Sequence, residues 1–174
     1  MSSRLEAADL EAAMTAALDH ARAAADHDDI PIGAVVLDES GAVIAAAGNA
    51  REQQADPTAH AEVLALREAA RQRGTWRLDG CTLVVTLEPC PMCAGAAMLA
   101  RVDRVVFGAW NDEYGAAGSR WDLLRDRRLP HRPEVIGGVL STPCGELVQG
   151  FLAARRTDSQ QSGSSDDLSK GGTP

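Results

Sequence analysis

Residues 82–93 read TLVVTLEPCPMC, and the rest of the chain is organised around this stretch. Its first half is a nearly continuous apolar run, which is typical of a buried β-strand. Glu88, Cys90 and Cys93 follow at once, so we expect them at the carboxyl end of that strand. Open α/β sheets bind their ligands at such ends, and the stretch therefore predicts an α/β fold with a site at the sheet edge.

The two cysteines have the Cys-x-x-Cys spacing at which a pair of thiolates can share one metal ion. Pro91 favours a helix that begins directly after Cys90, because proline lacks the N–H that has no partner at the first helical position. Cys90 would then cap this helix, with Cys93 in its first turn. The positive dipole end and the unpaired N–H groups there favour the thiolate, which is the form that binds metals.

A second stretch, TAHAE at residues 58–62, supplies an imidazole and a carboxylate. Asp56 and the proline after it predict a turn, and Thr58 is expected to cap the helix that follows. His60 and Glu62 would then lie in the first helical turn. Residues two apart on an ideal helix point about 200° apart, so both side chains reach one ion only if it lies against the start of the helix.

Together these residues predict a catalytic zinc site. His60, Cys90 and Cys93 are ligands that zinc prefers, and three protein ligands leave the fourth tetrahedral position for water. Zinc lowers the pKa of such a water from about 15.7 to about 7, and Glu62 would act as general acid and base beside it. Alone, the cysteines would also suit a redox pair or half of a structural site, and Glu62 would suit the helix dipole. Their conjunction favours a zinc hydrolase.

A structural zinc site with a fourth protein ligand is the main rival, and Cys81, Cys144 and His131 are the candidates. Cys81 precedes the strand whose other end carries the motif, roughly 20 Å away at about 3.3 Å per residue, so it cannot reach. Cys144 opens the last predicted helix and is expected to be a small buried apolar residue.

The motifs His60-Ala61-Glu62 and Pro89-Cys90-Pro91-Met92-Cys93 match the H-x-E…P-C-x-x-C signature of zinc nucleobase deaminases. The chain resembles this superfamily, and more specifically the bacterial tRNA adenosine deaminases, from roughly residue 10 to residue 156. The closer similarity is carried by residues 31–35, 49, 56–62, 85–95, 104–109, 115–119 and 131–132.

This resemblance implies a three-layer α/β/α fold of the cytidine-deaminase type. Its five-stranded mixed sheet would have strand order 2-1-3-4-5, with strand 1 antiparallel to the rest and helices on both faces. One Zn²⁺ per subunit would be held by His60, Cys90 and Cys93, with Glu62 as the catalytic residue.

For the substrate, the resemblance implies that Asn49 bonds the purine, that the Ala61 N–H bonds a ring or carbonyl position, and that Ile32 packs on the ring. Asn49 would also suit a simple turn after a strand. Asn111 is expected at the substrate, in a loop where relatives carry a basic residue and an aspartate near the RNA backbone.

Two acids follow Asn111, Asp112 and Glu113, and they weaken the expected phosphate contact. Nearby, Trp110 and Tyr114 would suit either stacking on neighbouring bases or ordinary packing. His131 belongs to a segment that lies near the RNA in the family, so we expect it to contact the substrate.

The implied activity is zinc-dependent hydrolytic deamination of adenosine to inosine at the wobble position, 34, of a tRNA anticodon. The expected substrate is the anticodon stem-loop of an arginine tRNA with an ACG anticodon, and the expected assembly is a homodimer. A free nucleobase or nucleotide deaminase of the guanine or cytosine type, using the same zinc site, is the alternative enzyme. A noncatalytic zinc module is disfavoured because structure alone needs no carboxylate at Glu62.

Composition fits a single domain of 174 residues with no membrane span. The acidic start is unlike a signal peptide, and four cysteines are too few for a disulfide scaffold, so a cytoplasmic location is expected. A net charge of −8 argues against broad nucleic-acid binding. Between Arg101 and Arg132, however, seven arginines accompany five acids, which would suit a small RNA hairpin or a salt-bridged surface equally.

We expect a deaminase domain over residues 1–156 and a disordered tail over residues 157–174, where Ser, Gly, Gln and Asp leave almost nothing to bury. Besides the strand and helices already described, hydrophobic periodicity predicts a helix near residues 5–26, strands near 32–37, 42–47, 102–109 and 134–139, a short helix near 122–127 and a final helix near 143–156.

Overall fold

The computed structural model of the protein describes residues 5–163, with side chains up to residue 157. The elements are α1 (Ala7–Ala25), β1 (Gly33–Leu37), β2 (Val43–Gly48), α2 (Arg51–Gln54), α3 (Ala61–Arg73), β3 (Thr82–Leu87), α4 (Pro91–Ala100), β4 (Arg104–Ala109), β5 (Glu134–Gly137) and α5 (Ser141–Gly163). The predicted order is confirmed. The short helix α2 was not predicted, and a 3₁₀ turn at Leu123–Arg125 replaces the short helix expected there.

The five strands form one mixed sheet in the order β2-β1-β3-β4-β5, as the resemblance implied. β1 runs antiparallel to both of its neighbours, whereas β3, β4 and β5 are parallel to one another. At the centre, Val84 lies opposite Val35 of β1 and Val106 of β4. The carboxyl ends of the parallel strands consequently meet at one edge of the sheet.

Helices cover both faces of the sheet, α1 and α5 on one side and α3 and α4 on the other. Successive side chains of a strand point to opposite faces. Val84 and Val106 therefore pack under α1 and α5, while Val85 and Phe107 pack under α3 and α4. All four are fully buried. The expected three-layer α/β/α architecture is confirmed.

The chain between α1 and β1 is held close to the carboxyl end of β3. A Cβ atom at Gly33 would overlap the backbone oxygen of Ala17, so the approach of α1 to β1 requires glycine here. The Gly33 N–H donates to the hydroxyl oxygen of Thr86 at 3.1 Å. Residues 26–32 consequently reach the same sheet edge as the cysteine motif.

Two helices begin at this edge. β3 ends at Leu87, and α4 begins at Pro91 with Cys90 as its extended N-cap residue, which confirms the helix start predicted from the proline. α3 begins at Ala61 with His60 as its N-cap residue.

The prediction that Thr58 caps α3 is wrong. Both the backbone N–H and the hydroxyl of Thr58 donate to Oδ1 of Asp56, each at 2.7 Å. The polar groups of Thr58 are thus bonded within a local turn, of the kind that aspartate side chains commonly close, and they do not cap α3. The chain leaves this turn extended, and the helix begins later than expected.

Helix α5 is longer than predicted, because it continues past Arg156 to Gly163. Residues 157–163 therefore belong to a helix rather than to a disordered tail, and residues 164–174 lie outside the described part of the chain. Arg155 of this helix forms an exposed ion pair with Asp28, with a nitrogen–oxygen distance of 2.7 Å. Within residues 5–163, no helix combines the length and apolar character needed to span a bilayer.

Candidate active site

The three predicted metal ligands lie together at the starts of α3 and α4. Nδ1 of His60 is 3.5 Å from Sγ of Cys93 and 3.7 Å from Sγ of Cys90. Typical Zn–S and Zn–N bond lengths in a tetrahedral site separate sulfur from nitrogen by about 3.6 Å. Both nitrogen–sulfur distances thus suit one shared zinc ion, and the three ligand atoms all lie within 4.8 Å of one another.

His60 reaches the cysteines because it is the N-cap residue rather than part of the helix. Its backbone is extended, with φ −74° and ψ 147°. The 200° divergence expected for helical residues two apart therefore does not apply to His60 and Glu62. Only Glu62 has helical geometry, in the first turn of α3, and both side chains face the same space.

The thiols and the imidazole compete for protons. A hydrogen bond from Cys93, assisted by His60, lowers the pKa of Cys90 to about 4, so this sulfur is a thiolate at neutral pH. The same hydrogen bond to Cys90, together with burial, raises the pKa of Cys93. The hydrogen bond with Cys90 also raises the pKa of His60. A divalent cation bound to all three would displace these protons, so metal binding is expected to release them.

Glu62 is buried at the inner end of the site, with 4% of its surface exposed. Burial raises the pKa of its carboxyl, and the carboxyl is hydrogen-bonded to the thiol of Cys93. A raised pKa suits a group that both accepts and returns protons near neutral pH. Its position beside the metal ligands fits the predicted role of acid and base.

No fourth metal ligand joins this group among the described residues. Cys81 is buried at the amino end of β3, where its sulfur contacts Arg73 at 3.2 Å. Cys144 is 1% exposed and packs in the core between the sheet and α1, as predicted. The cluster accordingly has the three-ligand composition of catalytic zinc sites.

His60, Cys90 and Glu62 line a pocket of about 590 Å³, which is within the size range typical of small-molecule sites. Ile32 and Asn49 line one wall, and Trp110 to Tyr114 line another. Val148 and Leu152 of α5 contribute to its rim. The structure thus brings the predicted residues Ile32, Asn49 and Asn111 to the same cavity as His60 and Glu62.

The remaining predicted substrate residues are placed differently. Ala61 is the first residue of α3, so its N–H lies outside the helical hydrogen-bond ladder. His131 is not at the pocket, since its Nε2 lies 2.7 Å from the backbone oxygen of Val102. Val102 precedes β4, whose carboxyl end faces the site. The structure therefore places His131 at the amino ends of the parallel strands, whereas the site lies at their carboxyl ends.

Asn111 has a structural task in addition to its place in the pocket. Its side-chain oxygen accepts hydrogen bonds from the backbone N–H groups of Glu113 and Tyr114 at 3.2 and 3.0 Å. The side chain thus shapes the loop that carries the two aromatic residues. Its use by a local turn is typical of asparagine.

Two buried carboxylates support the pocket, and neither was predicted from the sequence to have a role there. Glu88 is 1% exposed and accepts hydrogen bonds from the N–H groups of Asn111, Ala117 and Ser119. Asp29 is fully buried beside Asn49. The position of Glu88, between a buried strand and the cysteine motif, indicates in retrospect a carboxylate at the site. Nothing in the sequence distinguishes Asp29 from the acids around it.

The loop after β4 is built around Glu88. Its segment at Gly115 packs so closely that a Cβ atom there would overlap the carboxylate of Glu88 and the hydroxyl of Ser119. The Ala116 N–H donates to the backbone oxygen of Pro89 at 2.8 Å. One wall of the pocket is therefore fixed directly to the cysteine motif.

A sheet of this topology, with one histidine, two cysteines and a buried glutamate at two helix starts, defines the class of zinc-dependent deaminases. Consistent with this class, residues 7–109 match the zinc-binding region of cytidine and deoxycytidylate deaminases. The chain belongs to that family.

Individual proteins of known function are similar to this chain over most of its length. The chain is 46% identical, over 143 residues, to the tRNA-specific adenosine deaminase of Bacillus subtilis (strain 168), covering 82% of this chain and 88% of that protein. A solved structure from a study of A-to-I editing by tRNA:A34 deaminases superposes with a TM-score of 0.75 at 40% identity, covering 78% of this chain and 98% of the other. A guanine deaminase from Nitrosomonas europaea superposes with a TM-score of 0.73 at 30% identity, covering 82% and 84%.

Proposed function

We propose that this protein hydrolytically deaminates adenosine to inosine at the wobble position, 34, of a tRNA anticodon. The observation that carries the proposal is the His60, Cys90 and Cys93 cluster, with its 3.5 and 3.7 Å nitrogen–sulfur distances, beside the buried Glu62 in an open pocket. The similarity to tRNA adenosine deaminases supports the choice of substrate.

The reaction replaces the amino group on C6 of adenine with oxygen, consuming one water and releasing ammonia. Zinc held by His60, Cys90 and Cys93 supplies an activated water when it is bound. Glu62 would accept one proton from the attacking water and pass it to the ring nitrogen next to C6. It would then take the second proton from the oxygen now bonded to C6 and pass it to the departing amine, which leaves as ammonia. One carboxyl with a raised pKa can carry each of these transfers in turn.

The base is oriented by groups on the pocket wall opposite the loop. Ile32 packs against the purine ring, Asn49 hydrogen-bonds its edge, and the Ala61 N–H donates to a ring position. Ile32 and Asn49 line the pocket, and Ala61 lies between two site residues. The wobble base is unpaired in the anticodon loop, so turning it into the pocket costs less than opening a duplex.

The pocket mouth suits contacts with bases more than contacts with phosphates. Trp110 and Tyr114 are 50% and 61% exposed beside the pocket, whereas Asp112 and Glu113 on the same loop are acidic. Aromatic side chains stack on bases of any identity. We therefore infer that nucleotides flanking position 34 stack on Trp110 or Tyr114, with Arg51 as a cation at the pocket. A contact between His131 and the RNA would have to lie outside this pocket, because His131 packs against Val102 at the amino end of β4.

We infer that the active form is a homodimer. α3 and α4 form a groove of about 310 Å³ that is lined mainly by apolar side chains. Trp76 is 61% exposed at this groove, and Leu99 is 66% exposed. Large exposed apolar residues grouped on one surface mark protein interfaces, and a second copy of the chain is the partner that we propose. A tRNA substrate and four free cysteines favour a cytoplasmic location.

The decisive experiment is an inosine assay on purified zinc-loaded protein. The substrates are an arginine tRNA with an ACG anticodon, the same tRNA with guanosine at position 34, and free adenosine, guanine and cytosine. We expect inosine at position 34 of the first tRNA and no ammonia from the free compounds. Ammonia from a free base, with the tRNA unmodified, would overturn the proposed substrate.

Guanine deamination is the second candidate, because the guanine deaminase from Nitrosomonas europaea shares the fold at 30% identity. The dependence of activity on salt concentration distinguishes the two candidate substrates. RNA binding that involves phosphate contacts weakens as salt rises, whereas turnover of an uncharged base responds little. The zinc site and Glu62 would serve either reaction.

A further inference from the structure

A fully buried aspartate stands behind the pocket wall. Asp29 lies between α1 and β1, on the segment that carries the pocket residues Ile30 and Ile32. Its Oδ1 accepts a hydrogen bond from Nδ2 of Asn49 at 3.3 Å. Asn49 itself is 5% exposed and faces the pocket.

Asp29 also binds the backbone that follows Asn49. Its Oδ1 accepts the N–H of Glu52 at 2.9 Å, and its Oδ2 accepts the N–H of Gln53 at 3.1 Å. These donors belong to α2, which begins at Arg51, another pocket residue. One carboxylate therefore joins three segments of the wall: the α1–β1 connection, Asn49 and α2.

The hydrogen bond to Asp29 decides which end of the Asn49 side chain faces the pocket. Both carboxyl oxygens of Asp29 accept backbone N–H groups, and Asn49 meets this carboxyl through its amide nitrogen, which is a donor. The amide oxygen then points away from Asp29, towards the cavity. The backbone of Asn49 is fixed as well, since its N–H donates to the oxygen of Ile32 at 2.8 Å.

We propose that Asp29 is a positioning residue for deamination, which acts by fixing the Asn49 carboxamide with its oxygen towards the bound base. In this orientation Asn49 accepts a hydrogen bond from a base N–H. Without Asp29 the amide can flip and present N–H groups instead. The major-groove edge of adenine offers an amino donor beside a ring acceptor, whereas the same edge of guanine offers two acceptors, so a fixed amide oxygen facing this edge favours adenine.

A double-mutant cycle with Asp29→Asn and Asn49→Ala tests this role. Asp29→Asn keeps the side-chain volume but can donate as well as accept. We expect it to lower kcat/KM for tRNA about tenfold, mainly through KM, with bound zinc unchanged. If Asp29 acts through Asn49, the double variant will lose no more than Asn49→Ala alone, because the orienting contact is already absent.

Asp28→Asn is the matched control. It removes the same charge one residue earlier, at a side chain that is 79% exposed and paired with Arg155. Exposed pairs of this kind contribute little, so its kcat/KM should stay within about twofold of the unsubstituted protein. If Asp29→Asn does not fold, as judged by its thermal melting curve, Asp29→Ser replaces it in the same cycle.

The inference rests on the proposed function, but the two can fail separately. If the fold-losses of Asp29→Asn and Asn49→Ala multiply in the double variant, Asp29 only supports the fold and the inference is overturned. If the unsubstituted protein leaves tRNA unmodified and deaminates a free base, the proposed substrate is wrong. The same cycle, run on that base, then still decides the role of Asp29.

Discussion

The backbone nitrogen of Ala117 lies 2.9 Å from Oε1 of Glu88, a residue 29 positions earlier in the chain. This contact joins the end of β3 to the loop after β4. The same carboxylate accepts two more N–H groups, from Ser119 at 3.0 Å and from Asn111 at 3.1 Å. Three neutral donors thus hold one wall of the pocket against the residue that precedes the cysteine motif.

Glu88→Gln should loosen this wall. An amide has one accepting oxygen, so at least one buried N–H loses its acceptor and faces an NH₂ group. We expect a loss of about 1–3 kcal/mol in the free energy of unfolding and a lower kcat/KM, with zinc retained. Ser119→Ala, which leaves every backbone donor of Glu88 in place, is the control. Equal melting temperatures for Glu88→Gln and the unsubstituted protein would contradict this prediction.

Glu62→Gln should abolish most of the activity and leave the metal site intact. The amide keeps the shape of the side chain but cannot shuttle protons, so kcat should fall by at least about 10² to 10⁴. Zinc content, measured by elemental analysis, should remain near that of the unsubstituted protein, since Glu62 is not a ligand. A variant that retains full deaminase activity would exclude Glu62 as the proton carrier.

Cys93→Ser should lose zinc, because the serine hydroxyl is a poor replacement for a thiolate ligand. We expect bound zinc to fall from about one ion per chain to a small fraction of that value. Cys144→Ala removes another buried cysteine, from the core under α1, and should keep its zinc. Elemental analysis of both variants after identical dialysis compares them directly. Undiminished zinc in Cys93→Ser would refute the ligand set.

Trp110→Ala and Tyr114→Ala should each lower kcat/KM for tRNA by about 5- to 100-fold if a flanking base stacks there. Trp121→Ala is the control, since Trp121 is 51% exposed but lies outside the catalytic pocket. Stacking contacts involve no counterion release, so neither pocket variant should change the slope of log KM against log salt. Losses equal to that of Trp121→Ala would argue against stacking at the mouth.

Leu99→Glu should dissociate the proposed dimer by placing a charge in the apolar groove between α3 and α4. Val43→Glu is a matched control, because Val43 is 51% exposed on the edge strand β2 and away from that groove. Light scattering coupled to size-exclusion chromatography would give the mass of each variant. A monomeric unsubstituted protein, or a dimeric Leu99→Glu variant, would show that this surface is not the interface.

Local patterns were sufficient for most of the fold. The apolar run at Thr82–Leu87 is β3 with the predicted bounds, and Pro91 begins α4 as predicted. Both features depend on residues adjacent in sequence, whose conformational preferences survive in the folded chain. The end of α5 was misplaced because Thr, Asp, Ser and Gly, which make up most of residues 157–163, are weak helix formers, yet the helix runs on to Gly163.

The sequence by itself determined the chemistry of the site, because thiolate, imidazole and carboxylate in these motifs suit a three-ligand zinc and an acid–base group. Tertiary structure decided how they meet. It made His60 an extended N-cap residue and placed His131 at the amino end of β4, away from the site. It also brought Asn49 to Asp29 and the Ala117 N–H to Glu88. A hydrophobic pattern encodes which face of a segment is buried. The donor that a buried carboxylate finds depends on how distant segments pack, and no local pattern records that.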